Sequence, residues 1–139
     1  MMVFTRRVTL VSEGSFYTQN VTEKVREVIK ESAILEGMAL VFFMHTTGAI
    51  MVTEHEAGIL VDLENLLESI IPVQDDYKHH LRGADTNAAA HLRSALMNNS
   101  ITVPVTEGDL DLGAYQEILV IDLDERTKKR TLVIKVLGN

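Results

Sequence analysis

The sequence predicts an α+β fold in which a mainly antiparallel sheet or sandwich is combined with about three helices. Apolar residues alternate in residues 7–11, as in a strand with one buried face, and recur at helical spacing in residues 59–71. The predicted helices are inserted among the strands and do not alternate with them one for one. This order favours α+β over a regular parallel α/β fold.

Three segments are predicted to be helical. Thr22 is expected to be the N-cap of the first helix, and Gly37 is expected to stop it. The second helix is predicted over residues 59–71, just before Pro72, with an apolar stripe of Leu63, Leu66, Leu67 and Ile70. The third is an Ala-rich helix over residues 87–97.

The predicted strands are residues 7–11, 38–44, 49–53, 101–105, 115–123 and 131–137. Residues 38–44 are apolar throughout, which indicates a strand buried on both faces. Residues 107–113 resemble a calcium loop only superficially, because the closing Glu is missing, and they predict a β-turn. Residues 73–86 form the longest polar connection, and long ordered loops in small domains often carry function.

Composition limits the possible functions. A chain of 139 residues with 46% hydrophobic and 24% charged residues indicates one globular domain, residues 1–139. The absence of cysteine excludes thiolate chemistry, and a formal net charge of −7 argues against nucleic-acid binding. Neither a signal peptide nor a membrane span is predicted, so we expect a soluble cytoplasmic protein that does not bind membranes.

Three histidines lie where a core histidine would be unusual. His45 ends a predicted strand at a corner where the Thr46 and Thr47 hydroxyls could donate to an oxyanion. His79 lies in the long loop, and His91 lies four residues after Asn87 on the same helical face. Three histidines and a carboxylate are a ligand inventory for zinc, but their spacing matches no metal motif, and ordinary hydrogen-bonded histidines are the alternative.

The sequence allows two interpretations for several other residues. Asp85 could cap the third helix or belong to the site, and Glu54 could be a general base or part of a solvated acidic turn. His79 and His80 should point to opposite sides, so that only one of them serves a pocket. The basic cluster is expected to be a solvated turn and not a phosphate-binding patch; it comprises Arg126, Lys128, Lys129 and Arg130.

Read in order, these segments resemble the YjbQ-like family, also described as secondary thiamine-phosphate synthases. The resemblance is carried by His45-Thr46-Thr47-Gly48, Tyr77-Lys78-His79, the series from Asp85 through Asn87 to His91, and Leu112-Gly113-Ala114-Tyr115-Gln116. These pieces occur in the family order over nearly the whole chain. The family implies two packed, mainly antiparallel sheets with flanking helices, assembled as a homotrimer with sites near the subunit interfaces.

The resemblance also implies a site. His45, Glu54, His79, Asp85 and His91 would be catalytic, and His45, His79 and His91 would bind a metal. Zinc is expected first on ligand type, and Mg²⁺ is possible with a pyrophosphate substrate. The substrate-binding residues would be Thr46, Thr47, Asn87, Gly113, Tyr115 and Gln116.

The implied reaction is a thiamine-phosphate synthase-like transfer that joins a pyrimidine pyrophosphate to a thiazole phosphate. The substrate is then a small phosphorylated molecule, yet the nearest cations in the sequence are few: Lys78, Arg82 and Arg93. Two alternatives stay open. One is a non-catalytic trimeric module that binds a metal or small molecule, and the other is a metal-assisted hydrolase of a small phosphorylated compound.

Overall fold

The computed structural model describes residues 1–126 and 128–139, with the side chain of Arg82 outside the description. The described residues form eight strands: β1 (Met2–Ser12), β2 (Tyr17–Asn20), β3 (Gly37–Phe43), β4 (Gly48–Thr53), β5 (Ser100–Thr106), β6 (Asp109–Leu110), β7 (Glu117–Asp122) and β8 (Lys128–Gly138). The helices are α1 (Thr22–Ser32), α2 (Ala57–Ile70) and α3 (Ala88–Met97), with a short 3₁₀ helix at Lys78–Arg82. The predicted α+β class is confirmed.

The strands form two antiparallel sheets. The larger has the order β1-β8-β3-β5-β6, and the smaller has the order β2-β7-β4. The inner face of the larger sheet packs against α1 and one face of the smaller sheet, through residues such as Val41, Ile118 and Ile134. The other face of the smaller sheet packs against α3 through Ala49, Ala90 and Ile121. The smaller sheet is therefore a middle layer covered on both sides.

The strand buried on both faces is β7 and not β3, so that prediction was wrong. Burial alternates along β3: Ala39, Val41 and Phe43 face the core, whereas Met38 and Phe42 are exposed on the outer face. In contrast, residues 118–121 of β7 are all buried. An apolar run alone does not distinguish the two cases, because an exposed apolar face looks the same in sequence.

The ends of α1 also differ from the prediction. Val21 holds the N-cap position without a side-chain cap, and Thr22 is the first helical residue. The Thr22 hydroxyl donates to Asn20 and accepts the N–H of Ile118, which attaches α1 to β7. The helix stops at Ala33, which has a left-handed φ of 57°, four residues before Gly37.

Helix α2 lies largely on the surface. Leu67 is its one buried residue, and two members of the predicted apolar stripe, Leu66 and Ile70, are exposed. The predicted apolar stripe is therefore exposed at two of its four positions in the single chain. No helix in the described part of the chain is long and apolar enough to cross a bilayer.

The remaining predictions concern strands and turns. The predicted turn after β5 is confirmed, with Glu107 and Gly108 both at positive φ before β6. The short strands β2 and β6 were not predicted, because four and two residues are too few for a clear alternation.

Gly37 allows the closest backbone approach in the larger sheet. A Cβ on Gly37 would lie 1.9 Å from the carbonyl oxygen of Leu137, and backbone cannot move aside as a flexible side chain can. We expect Gly37→Ala to lower the free energy of unfolding by about 3 kcal/mol, measured by urea denaturation. The neighbouring exposed position is the control: Met38→Ala should change it by less than about 1 kcal/mol. Equal losses would contradict this explanation.

Candidate functional site

The candidate site lies at one end of the sheets. The chain leaves β3 and enters β4 there, β7 ends, β8 begins, and α3 starts against the long loop. Five of the predicted residues come together at this end: His45, His79, Asp85, Asn87 and His91. Strand ends and a helix start thus bring residues from four separate segments to one side of the molecule.

His79 and His91 are the centre of the site. Their rings meet edge to face with centroids 4.9 Å apart. The Nε2 atom of His79 lies 3.7 Å from Oδ2 of Asp85, within electrostatic range but beyond a hydrogen bond. A cleft of about 520 Å³ opens beside them, lined by Tyr77, Lys78, His79, Ala88, His91 and Leu92.

Two buried polar atoms in this site have no hydrogen-bond partner among the described residues. They are Nε2 of His79 and Oδ1 of Asn87. A second, smaller cavity of about 120 Å³ is lined by Ala84, Asp85, Thr86, Asn87, Asp124, Glu125 and Arg126. Buried polar atoms are nearly always paired in folded proteins, and an unpaired one costs about 1–3 kcal/mol. His79 and Asn87 therefore each carry one unsatisfied polar atom in the single chain.

Asp85 does not cap α3, so the capping interpretation was wrong. The first N–H of the helix, that of Ala88, donates to Nε2 of His80 at 3.1 Å, and Asn87 makes no side-chain cap. His80 thus turns toward the helix start while His79 turns toward His91. Both residues lie in the 3₁₀ helix and not in an extended loop, and which of them serves a ligand stays a prediction.

His45 is held in a hydrogen bond to the backbone. Its Nε2 accepts the N–H of Thr131 at 2.7 Å, and its ring lies against Phe43 with centroids 4.9 Å apart. Burial lowers the pKa of His45, and the positive charge of Arg130 lowers it further. Both effects favour the neutral imidazole that this bond requires.

The described residues contain no group of three or more His, Asp or Glu side chains arranged to hold a metal ion. His45 does not fit the three-histidine set, because its Nε2 already accepts the Thr131 N–H. His79, His91 and Asp85 fit a metal in ligand type, and Nε2 of His79 is free of other bonds. Their donor atoms would have to converge to bind an ion.

Two acid–base pairs in this region were missed by the sequence analysis. Buried Arg130 donates to both carboxylate oxygens of Asp122 at 2.7 Å and to the Thr47 hydroxyl at 2.9 Å. Lys128 donates to Oδ2 of Asp124. The prediction of a solvated turn was therefore wrong for these two cations, although Lys129 and Arg126 are exposed. The available signal in the sequence was the shared two-residue spacing, which puts Asp122 and Asp124 on one side of their segment and Lys128 and Arg130 on one face of β8.

Four of the other predicted residues lie at the opposite end of the smaller sheet. Thr53 pairs with Glu117, whereas Gly48 pairs with Asp122, so the two ends of β4 are about 17 Å apart. At the far end lie Glu54, Gly113, Tyr115 and Gln116, all exposed, and Gln116 accepts the N–H of Gly113. Thr46 is exposed at the histidine end. A single chain therefore does not bring all predicted residues into one pocket.

The lowered pKa values of His45 and His91 predict how the stability of the fold depends on pH. Burial lowers the pKa of His91, and the charge of His79 adds to the effect; Asp124 and Asp85 oppose it. Since the folded pKa values of His45 and His91 are below their unfolded value of about 6.5, the unfolded chain takes up protons first. The neutral forms of these two histidines therefore contribute their full stabilisation of the folded state above about pH 6.5. This contribution is lost as the pH falls through the folded pKa values.

We therefore expect the urea midpoint to fall between pH 7.5 and pH 5.5. His45→Gln should show a smaller fall, because a glutamine oxygen can accept the Thr131 N–H without titrating. The two pH profiles, measured by circular dichroism, check this expectation. Identical profiles would show that His45 does not contribute.

Comparisons with known proteins agree with this fold. The family model described as "UPF0047 protein YjbQ-like" matches residues 6–139. A UPF0047 protein of Methanothermobacter thermautotrophicus is 37% identical over 133 residues, 96% of this chain and 92% of that protein. One from Archaeoglobus fulgidus is 36% identical over 114 residues, 82% of this chain and 86% of that protein.

Solved structures show the same architecture. A YbjQ-like protein of unknown function from Sulfolobus solfataricus superposes with a TM-score of 0.94 at 29% identity, covering 99% of both chains. A hypothetical protein from Aeropyrum pernix superposes with a TM-score of 0.90 at 31% identity, covering 97% of this chain and 98% of that one. The chain belongs to the YjbQ-like (UPF0047) family.

Proposed function

We propose that the chain is a cytoplasmic enzyme acting on a small phosphorylated molecule, with His79, Asp85, Asn87 and His91 as its active site. The observation that carries this proposal is the pair of buried, unpartnered atoms, Nε2 of His79 and Oδ1 of Asn87. His79 lines the larger cleft and Asn87 lines the smaller cavity. A protein that used these residues only for folding would gain stability by pairing or removing them.

The reaction we propose, by family resemblance, is thiamine-phosphate synthesis. The bond between the pyrimidine methylene carbon and pyrophosphate breaks, its electron pair leaves with pyrophosphate, and the thiazole nitrogen bonds to that carbon. Such a step needs donors at the departing oxygen and a site that limits water around the cationic carbon. His79 and Asp85, whose Nε2 and Oδ2 atoms lie 3.7 Å apart, would lie beside the departing oxygen.

We include a divalent metal ion in the proposal, with zinc first on ligand type and Mg²⁺ accompanying a pyrophosphate substrate. His79, His91 and Asp85 would hold the resident ion, and His45 would not. When bound, the ion would supply positive charge to a phosphate oxygen. Metal content per chain, measured for wild type and His91→Ala purified without chelator, tests this part. An equal content in both proteins would contradict it.

We also propose that the chain assembles as a homotrimer. The support is the exposed apolar surface of α2, where Val61, Leu66 and Ile70 are each 56% exposed. Assembly would also offer a way to bring Tyr115 and Gln116 of one subunit to the histidine end of another. A mass near three times 15.5 kDa by light scattering is expected, and a monomer at working concentration would contradict the assembly.

The test of the reaction is direct. The purified protein, prepared without chelator, is incubated with both thiamine precursors and Mg²⁺, and thiamine phosphate and pyrophosphate are quantified together. Equal molar amounts of the two products are expected. Precursor loss with release of inorganic phosphate would identify the hydrolase instead. Stable binding of a precursor without any product would identify the non-catalytic binding module.

A further inference from the structure

The inner face of β8 begins with two cations that meet two acids at the end of β7. Lys128 and Arg130 are two residues apart on β8, so their side chains point to the same face. Asp122 and Asp124 are likewise two residues apart, and each accepts from one of the cations. The two pairs have the same spacing in the sequence, but they differ in whether the cation keeps N–H donors free for a ligand.

The Asp122–Arg130 pair is closed. Both residues are almost completely buried, and the guanidinium also donates to Thr47. Asp122 additionally accepts the backbone N–H of Asp124 at 3.0 Å. This pair has the features of a structural ion pair that fixes the end of β7 against β8.

The Asp124–Lys128 pair is open on one side. The Asp124 side chain is 1% exposed, whereas that of Lys128 is 30% exposed. An ammonium carries three N–H donors, and the hydrogen bond to Asp124 uses one of them. Asp124 also lines the 120 Å³ cavity of the site. Lys128 is thus a cation of the site, anchored by a buried carboxylate.

The same carboxylate oxygen also holds Asn87. Its Nδ2 donates to Oδ2 of Asp124 at 3.4 Å, which leaves the unpartnered Oδ1 as the other end of the amide. Lys128 and the unpartnered acceptor therefore meet at one anchor. The ammonium is therefore anchored beside the cavity that Asp124 and Asn87 line.

Of the other described cations near the site, Lys78 lines the cleft and Arg126 lines the smaller cavity, but neither donates a hydrogen bond to a buried carboxylate. Arg93 is buried and donates to the carbonyl of Ile71 and to Glu68, where it fastens α3 to the end of α2. Arg126 is 73% exposed and lies 3.9 Å from Asp124, and Lys129 projects from the opposite face of β8. The side chain of Arg82 lies outside the described residues.

We propose that Lys128 is a ligand-binding residue that contacts the phosphate or pyrophosphate group of the substrate. The inference rests on the proposed function for the substrate class, and it adds a residue absent from the family motifs quoted above. Asp124 holds the ammonium in place, and the two remaining N–H donors meet the anion. Charge-assisted hydrogen bonds of this kind give about a 10- to 100-fold difference in affinity.

The experiment uses inorganic pyrophosphate as the probe and titration calorimetry of the full chain at fixed ionic strength. The key variant is the double substitution Asp124→Asn with Lys128→Met, which removes one charge of each sign. The double substitution keeps the net charge of the chain unchanged. It also leaves no buried carboxylate without a partner. The matched control is Lys129→Met, which removes a cation from the adjacent exposed position.

We expect the double variant to bind pyrophosphate about 10- to 100-fold more weakly than wild type, and Lys129→Met to stay within about twofold. An unchanged melting temperature of the double variant shows that the loss is not unfolding. Equal affinity in wild type and double variant would overturn the inference, and so would an absence of pyrophosphate binding by wild type.

Thiamine-phosphate formation, measured in parallel, separates this inference from the proposed function. Product from wild type with an unchanged KM in the double variant would remove only the role of Lys128. Loss of pyrophosphate binding in the double variant, with no product from wild type, would keep the role of Lys128 and remove the synthase reaction.

Discussion

Replacing His91 by Ala is expected to reduce thiamine-phosphate formation at least about 100-fold while the protein stays folded. His91 lines the 520 Å³ cleft, and its ring holds the His79 ring edge to face. The substitution therefore removes one imidazole from the site and the neighbour that orients the other. It leaves no buried hydrogen-bond partner stranded, because the His91 ring makes no hydrogen bond to the described residues.

The control for this variant is His55→Ala. His55 is exposed beyond β4, at the end of the smaller sheet opposite the site, and its described contact is a 3.4 Å approach to Asn20. We expect its rate to stay within about twofold of wild type. Steady-state rates for the three proteins, with circular dichroism spectra, make the comparison. Comparable rates for His91→Ala and wild type would remove His91 from the active site.

Replacing Arg130 by Met is expected to lower the free energy of unfolding by about 3–5 kcal/mol. The substitution leaves the Asp122 carboxylate buried and without its two 2.7 Å donors. The Thr47 hydroxyl loses its donor as well. Removing one partner of a buried pair is costly because the remaining charge cannot regain its hydration.

Arg126→Met is the matched control, since Arg126 is exposed and lies at the edge of electrostatic range from Asp124. We expect this variant to stay within about 0.5 kcal/mol of wild type in urea denaturation. A small loss for Arg130→Met would mean that Asp122 is reached by water or is protonated. It would also contradict the assignment of this pair as a structural one.

The fold class could be predicted because its signals are local. Alternation in β1, helical spacing in α1 and α2, and turn residues between the elements occur in short windows of sequence. The ends of α1 were predicted less well. Thr22 bonds to Asn20 and to the backbone of β7, and such tertiary contacts decide which residue caps a helix.

The site could be predicted in part. His79 and His91 were proposed as partners, and their contact is a property of the packing of α3 against the loop. Burial was the feature that the sequence did not reveal. The sequence alone indicates that Lys128 and Arg130 are solvated, because it does not show that Asp124 and Asp122 lie opposite them. The separation of Gln116 from the histidines follows from strand length and register, which single residues do not encode.

The central claim is that His79 serves a ligand and not the fold, and His79→Phe tests it most directly. Phenylalanine keeps an aromatic ring against His91 and removes the buried Nε2 that has no hydrogen-bond partner. We predict a melting temperature equal to or above that of wild type, together with about 10- to 100-fold weaker binding of the phosphorylated precursors by calorimetry. A lower melting temperature with unchanged affinity would show that His79 is structural and would contradict the account.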